Sequence, residues 1–213
     1  MIGIAQAFST RYAEARKKFL EAAATAGLRS ESFVHPLRGI DGETLAVDVA
    51  LDGPADAAKL LMVTSASHGV EGYYGSGVQV FALHDQEWRE KARDAGVAVL
   101  YVHALDPYGF SHAQRSTDEN FGQQIVRTIL RQHAAHAQQL AWIDIQTGPG
   151  PDGVTPFTGA LLQSVRAECP GVLTTALALE IGTDTRTHAD AWQGLVISQA
   201  RQALFQAVDG LNS

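Results

Sequence analysis

The run His68-Gly69-Val70-Glu71-Gly72 follows directly on the apolar segment Lys59 to Ser65. An imidazole and a carboxylate three residues apart at a strand end can be aimed at one point beyond the sheet, and zinc accepts nitrogen from one and oxygen from the other. The flanking glycines let the backbone turn tightly enough for both side chains to face that point. A catalytic zinc takes three protein ligands and keeps one position open for water, so His68 and Glu71 need a partner from elsewhere in the chain. His103, Gln146 and Glu180 also fall at or near the ends of apolar runs. Glu180 closes Leu173 to Leu179, and burying a lone carboxylate there costs on the order of several kcal/mol unless it is paired, which favours a role in a site.

Other residues have plainer explanations. His103 reads as a satisfied histidine at a strand end, although it and His112 are the imidazoles that could turn toward a metal. His133 and His136 stand among alanines on a helix face that is solvated or packed. Tyr73, Tyr74 and Tyr108 suit either a cleft or the core. Gly75-Ser76-Gly77 supplies the first two glycines of a phosphate-cradling G-x-G-x-x-G turn, but Val80 stands at the third, and no Gly-Lys-Ser/Thr follows. Ser76 is not a nucleophile-elbow serine, because Tyr74 stands where that turn needs glycine.

The elements that must position these residues alternate. Apolar runs of strand length cover Lys59 to Ser65, Val97 to His103, Ala141 to Thr147 and Leu173 to Ile181. Helical patterns lie near Gly75 to Leu83, Gln86 to Ala95, Gln123 to Gln139, Ala160 to Glu168 and Ala189 to Val208. That order predicts an α/β fold with a mainly parallel mixed sheet flanked by helices, whose ligands gather beyond the carboxyl ends of the strands. Upstream, a helix is expected from Phe8 to Gly27 with Ser9 or Thr10 as its cap. Ser32 to Pro36 and Thr44 to Leu51 form an expected antiparallel edge around Asp41-Gly42. Pro149 to Gly153 reads as a turn at a strand end.

The chain has 213 residues, enough for one substantial core, and is read as a single domain, 1–213. Hydrophobic residues make up 46% and charged residues 18%, a globular balance far from that of disordered chains. A formal charge of -7 opposes phosphate-backbone binding, so no nucleic-acid partner is expected. Cys169 is the single cysteine, which excludes an internal disulfide and a thiolate metal cluster. Neither a signal peptide nor a membrane span is evident, so a cytoplasmic protein without a membrane partner is expected.

Five motifs stand in one order: His68-Gly-Val-Glu-Gly72, Val102-His-Ala-Leu-Asp-Pro-Tyr-Gly-Phe110, Arg115-Ser-Thr-Asp-Glu-Asn120, Trp142-Ile-Asp-Ile-Gln-Thr-Gly148 and Leu179-Glu-Ile-Gly-Thr183. From about Leu60 to Thr183 the chain thereby resembles an uncharacterised bacterial branch of the zinc carboxypeptidase-like superfamily. The resemblance implies a carboxypeptidase-like architecture, zinc as cofactor, and metal-assisted hydrolysis of an amide bond in a peptide or small amide. Carried over by position, His68 and Glu71 are metal ligands, Gln146 occupies the place of the third, Glu180 is the general base, and Arg115 binds a substrate carboxylate or polarises the carbonyl.

Two departures bear on activity. The branch has Asp-x-His-Thr-Gly where this chain has Asp144-Ile145-Gln146-Thr147-Gly148, and an amide oxygen is a weaker zinc donor than imidazole. Phe121-Gly122-Gln123 stands where the branch continues through Asp-x-Asn-Arg, so the Asn-Arg grip on a substrate carboxylate is missing. Asp106 replaces the Asn of Asn-Pro-Tyr-Gly, and the chain is short for the branch, with further loss after Gly153. Three readings follow: a homologue with impaired or lost catalysis, which the two departures favour; an active zinc peptidase or amidohydrolase with a modified metal site; and a nucleotide- or small-ligand-binding α/β protein. Lost segments would leave apolar surface for a second copy, making a homo-oligomer an expectation.

Overall fold

In a computed structural model, which describes residues 2–69, 72–114, 119–148, 153–156, 160–182 and 189–213, the chain forms one seven-stranded sheet. The strands are β1 (Ser30–Arg38), β2 (Thr44–Asp52), β3 (Lys59–Ser65), β4 (Val97–His103), β5 (Gln139–Gly148), β6 (Gly153–Pro156) and β7 (Leu173–Gly182), in the order β1-β2-β4-β3-β5-β7-β6. The four central strands β4, β3, β5 and β7 are parallel, while β1, β2 and β6 run antiparallel along the margins. The expected α/β architecture is thus mixed, with its parallel part at the centre.

The helices are α1 (Ile4–Ala7), α2 (Tyr12–Thr25), α3 (Gly72–His84), α4 (Gln86–Asp94), α5 (Pro107–Ser111), α6 (Glu119–His133), α7 (Ala160–Glu168) and α8 (Ala189–Leu211). Side chains alternate across the strands, and the two cores divide accordingly. Leu61, Val63, Val99, Tyr101, Ala141 and Ile143 face α2, α3, α4 and α8. Leu60, Met62, Ala98, Leu100, Leu140 and Trp142 face α6 and α7. Among the described residues, no helix is long and apolar enough to cross a membrane.

The strand bounds expected at Lys59 to Ser65 and Val97 to His103 are those observed. Elsewhere the sequence pattern misses local competition. The helix expected to run to Gln139 stops at His133, because the Gln138 and Gln139 N–H groups bond to the Ala58 carbonyl and Gln139 pairs with Lys59 to open β5. The first long helix starts at Tyr12 rather than beside Phe8, and Arg11, not Ser9 or Thr10, is its N-cap. Phe8 is instead buried in the core against the backbone of Gly77, and its carbonyl accepts from Lys18 Nζ at 2.5 Å. Helices α1 and α5 and strand β6 were not expected. For α5 the signal was present: Asp106 accepts from the Gly109 N–H at 2.8 Å as N-cap, with Pro107 at the first helical position.

Candidate functional site

The carboxyl ends of β3 and β4 pass into matching turns. Each strand is followed by an alanine with left-handed backbone, Ala66 at φ 57° and Ala104 at φ 61°, a conformation that costs an L-residue roughly 1 kcal/mol. Surrounding bonds hold both in place. The Leu105 and Asp106 N–H groups donate to the Ser65 and Ala66 carbonyls, each at 3.0 Å, and the Ala104 N–H donates to Ser65 Oγ at 3.2 Å. Beneath them Gln79, fully buried in α3, donates to the Val63 and Val102 carbonyls at 2.9 and 3.1 Å and accepts from Ser65 Oγ at 3.0 Å. One buried amide therefore joins both strand ends to α3. A single Gln in the apolar pattern Gly75 to Leu83 was the sequence signal for such a clamp.

The turn after β3 carries Ser67 and His68, and the His68 side chain is exposed. Gly69, at φ 70°, presses on the backbone of Gly109 and Gln114, where a Cβ would stand 2.6 to 2.7 Å from their atoms. The His68 turn is thereby seated on α5 and the residues after it. Glu71 and Arg115 lie outside the described residues. Glu180 is in β7, its Cα in register with Gln146 on β5 and Gly153 on β6, and its side chain lies outside the described part. The sheet thus brings the backbone positions of Gln146 and Glu180 side by side, with His68 beyond the next strand.

Asp144 is the centre of the polar group that the described side chains form. It is fully buried, and its Oδ1 accepts from both Thr64 Oγ1 and Ser67 Oγ. Its Oδ2 accepts from the Gln146 amide, Nε2, at 2.5 Å. The Trp142 indole N–H donates to Thr64 Oγ1 at 2.9 Å, tying the group into the core. Burial pushes the Asp144 carboxyl up from its ordinary value, against the pull of Ser67, Thr64, Gln146 and the nearby His68 imidazole. Three donors on one carboxyl match a carboxylate, which only accepts. Among the described residues Gln146 Oε1 has no hydrogen-bond partner, and one Nε2 hydrogen is committed to Asp144. Sequence reasoning singled out Gln146 but not its anchor, although a charged residue inside Trp142-Ile143-Asp144-Ile145 was a signal.

The other histidines are used elsewhere. His103 is fully buried, its ring stacked on Phe19 at 4.7 Å and its Nε2 2.9 Å from Ser76 Oγ. Burial lowers its pKa to about 4, and its Nδ1 has no hydrogen-bond partner among the described residues. His112 stacks on Tyr108 at 4.2 Å, and Tyr108 in turn stacks on His35 at 6.1 Å. His133 ends α6, and His136 is exposed on the loop after it. Tyr73 packs edge-on against Phe110 and Tyr74 against Trp192.

The glycine run that suggested a phosphate cradle belongs inside a helix. Gly72, Gly75 and Gly77 are buried in α3, where Cβ atoms would meet the Phe110 ring at 2.5 Å, Ser65 Cβ at 2.7 Å and the Phe8 ring at 2.5 Å. These glycines serve close packing, and Ser76 between them is buried against His103, so the nucleotide reading loses its residues.

The described donors do not by themselves complete a zinc site, the side chains of Glu71 and Glu180 lying outside them. Among the described residues, no group of three His, Cys, Asp or Glu side chains is placed to hold a metal ion. His68 contributes one imidazole, and Gln146 contributes at most an amide oxygen, a neutral donor that suits harder cations better.

Residues 8–122 match a family described as protein of unknown function (DUF2817). Among solved structures, the chain is similar to a metallo-carboxypeptidase from Burkholderia cenocepacia, with TM-score 0.60 and 12% identity over 92% of this chain and 68% of that one. It is similar to bovine thrombin-activatable fibrinolysis inhibitor, solved with tick carboxypeptidase inhibitor, with TM-score 0.62 and 8% identity over 97% and 98% of the two chains. Porphyromonas gingivalis glutaminyl cyclase gives TM-score 0.54 and 12% identity over 96% and 99%. At these identities the likeness is one of fold. No protein of curated function matches the chain in sequence.

Proposed function

Because the chain belongs to the DUF2817 family and its fold is metallohydrolase-like, we propose that it is a carboxypeptidase-like homologue that binds a peptide or small amide without hydrolysing it. The observation that carries this reading is the Gln146 amide committed to Asp144 at 2.5 Å. By the resemblance, that position holds the third metal ligand. A side chain hydrogen-bonded to a buried carboxylate is positioned by the protein, and its remaining oxygen suits an N–H donor such as a peptide amide. The exposed His68 offers a second hydrogen-bonding group beyond the neighbouring strand. Losing both a zinc donor and the Asn-Arg grip removes metal retention and substrate positioning together, two separate requirements for turnover.

The test is metal analysis of protein purified without chelator, with zinc titration by calorimetry and a parallel assay of binding and cleavage of an N-acylated dipeptide. The expected result is no stoichiometric metal, no zinc binding near micromolar concentration, and dipeptide binding without cleavage. Stoichiometric zinc together with cleavage would overturn the proposal in favour of an active peptidase. Absence of dipeptide binding would remove the ligand class.

A further inference from the structure

On the opposite face of the sheet from Asp144 and Gln146, a cavity of about 310 Å³ lies between α8 and strands β5 and β7. Its floor is made by Ile143 of β5, which alternates with Trp142 and Asp144 along that strand, and by Leu177 and Leu179 of β7. Its roof is α8, which presents Ala203, Ala207 and Gly210 at helical spacing. Small residues at these positions keep open a space that Leu or Phe would close.

The helix above this space is firmly held. Val196, Ala200, Leu204 and Val208 of α8 are buried in the core. At its carboxyl end Lys91 pairs with Asp209, and Lys59 donates to Asn212. The gap therefore belongs to a docked helix. A void of about 150 Å³ lined by apolar side chains stays dry and takes up benzene, and small-molecule sites begin at roughly 300 Å³. Among the described residues, no charged residue lines the cavity, and its polar side chains are Gln139, Thr175 and Gln206, the last two exposed. An ionised headgroup would find no counter-charge there, whereas a neutral one would find hydrogen-bond donors and acceptors.

We propose that this cavity is a binding site for a neutral amphiphile, with an alkyl or aromatic body under α8 and one uncharged polar headgroup at Thr175 and Gln206. Of the strand-end group it touches only Trp142, whose indole N–H is turned to Thr64, and it shares neither His68, Asp144 nor Gln146, so its test is independent of peptide binding or hydrolysis. The full chain is titrated with the neutral dye N-phenyl-1-naphthylamine, followed by competition with octanamide and with octanoate. Saturable dye fluorescence displaced by octanamide is expected, with octanoate at least tenfold weaker. Ala207→Phe, which fills the space, is expected to weaken dye binding more than tenfold, and Ala203→Leu serves the same purpose if that variant does not fold. The proposal fails if the wild-type chain shows no saturable dye binding or if octanoate competes as well as octanamide. It fails equally if a folded filling variant binds within twofold of wild type.

Discussion

Gln146 and Asp144, two residues apart on β5, are joined through their side chains, the amide donating to Oδ2 at 2.5 Å. Adjacent alternate positions of a strand share a face, so this contact needs no loop or helix to arrange it. Replacing Gln146 by leucine leaves the wholly buried carboxylate with Thr64 and Ser67 as donors. A loss of about 2 kcal/mol is expected for a hydrogen bond to a charged group. Urea unfolding of the two chains measures it, and an unchanged midpoint would show that the bond contributes nothing to stability.

Gln146→His restores an imidazole to the same position. Zinc affinity measured by calorimetry is expected to rise at least about tenfold, imidazole being the better zinc donor. Equal affinity in both proteins would show that position 146 does not face the metal-binding direction of His68.

His103 predicts an acid-side dependence of stability. Burial holds it down at about 4, against an ordinary value of 6.5. Between those two values the unfolded chain binds the extra proton, so stability falls as pH drops from 6.5 to about 4 and is unaffected by this group at higher pH. The full loss is about 3 kcal/mol. His103→Gln retains a polar partner for Ser76 and removes the titration, so denaturation midpoints followed from neutral pH into this range should fall less steeply for the variant. Parallel declines would assign the dependence to other groups.

Arg16 and Asp48 predict a coupled pair. The guanidinium of Arg16 grips the fully buried Asp48 with two bonds, at 2.7 and 3.1 Å, and Ser32 Oγ adds a third at 2.5 Å. Arg16→Met alone is expected to cost about 3 kcal/mol, because it strips the guanidinium from a buried charge. Arg16→Met with Asp48→Leu should cost clearly less than the sum of the two single changes. Additive costs in the double-mutant cycle would mean that the pair is not coupled.

Two glycines in helices should respond oppositely to alanine. Helix propensity favours alanine at both by about 1 kcal/mol. At Gly194 nothing lies within 4 Å of an added Cβ, so stability should rise by about that amount. At Gly75 the Cβ would stand 2.7 Å from Ser65 Cβ, and overpacking should lower stability by about 2 kcal/mol. Thermal melts of the two variants check the sign, and stabilisation of both would refute the close packing of α3 on β3.

Much of this architecture is legible in the sequence because the central strands are buried on both faces. Leu60 to Val63 and Val97 to Val102 are unbroken apolar runs, and polar residues at their ends mark where the chain leaves the core. The short elements are not legible, since α1 and β6 have four residues each, too few for periodicity to register. The site was half legible. His68 and Gln146 stand out by motif, whereas Thr64, a partner of Asp144, lies on a strand 80 residues away, and the register that pairs the two is set by the whole sheet. Gln79 and His103 show the same limit, because their partners are backbone carbonyls, Ser76 and Phe19, which only the assembled layers bring together.

The glycines after His68 have a consequence for ancestry. Gly72, Gly75 and Gly77 are demanded by Phe110, Ser65 and Phe8, side chains packed against α3. A descendant that stops catalysing stays under the same steric demand at each of them, so this stretch of the signature outlives the chemistry beside it. Recognisability and reactivity are then separable: packing holds these glycines whatever residue stands at position 146.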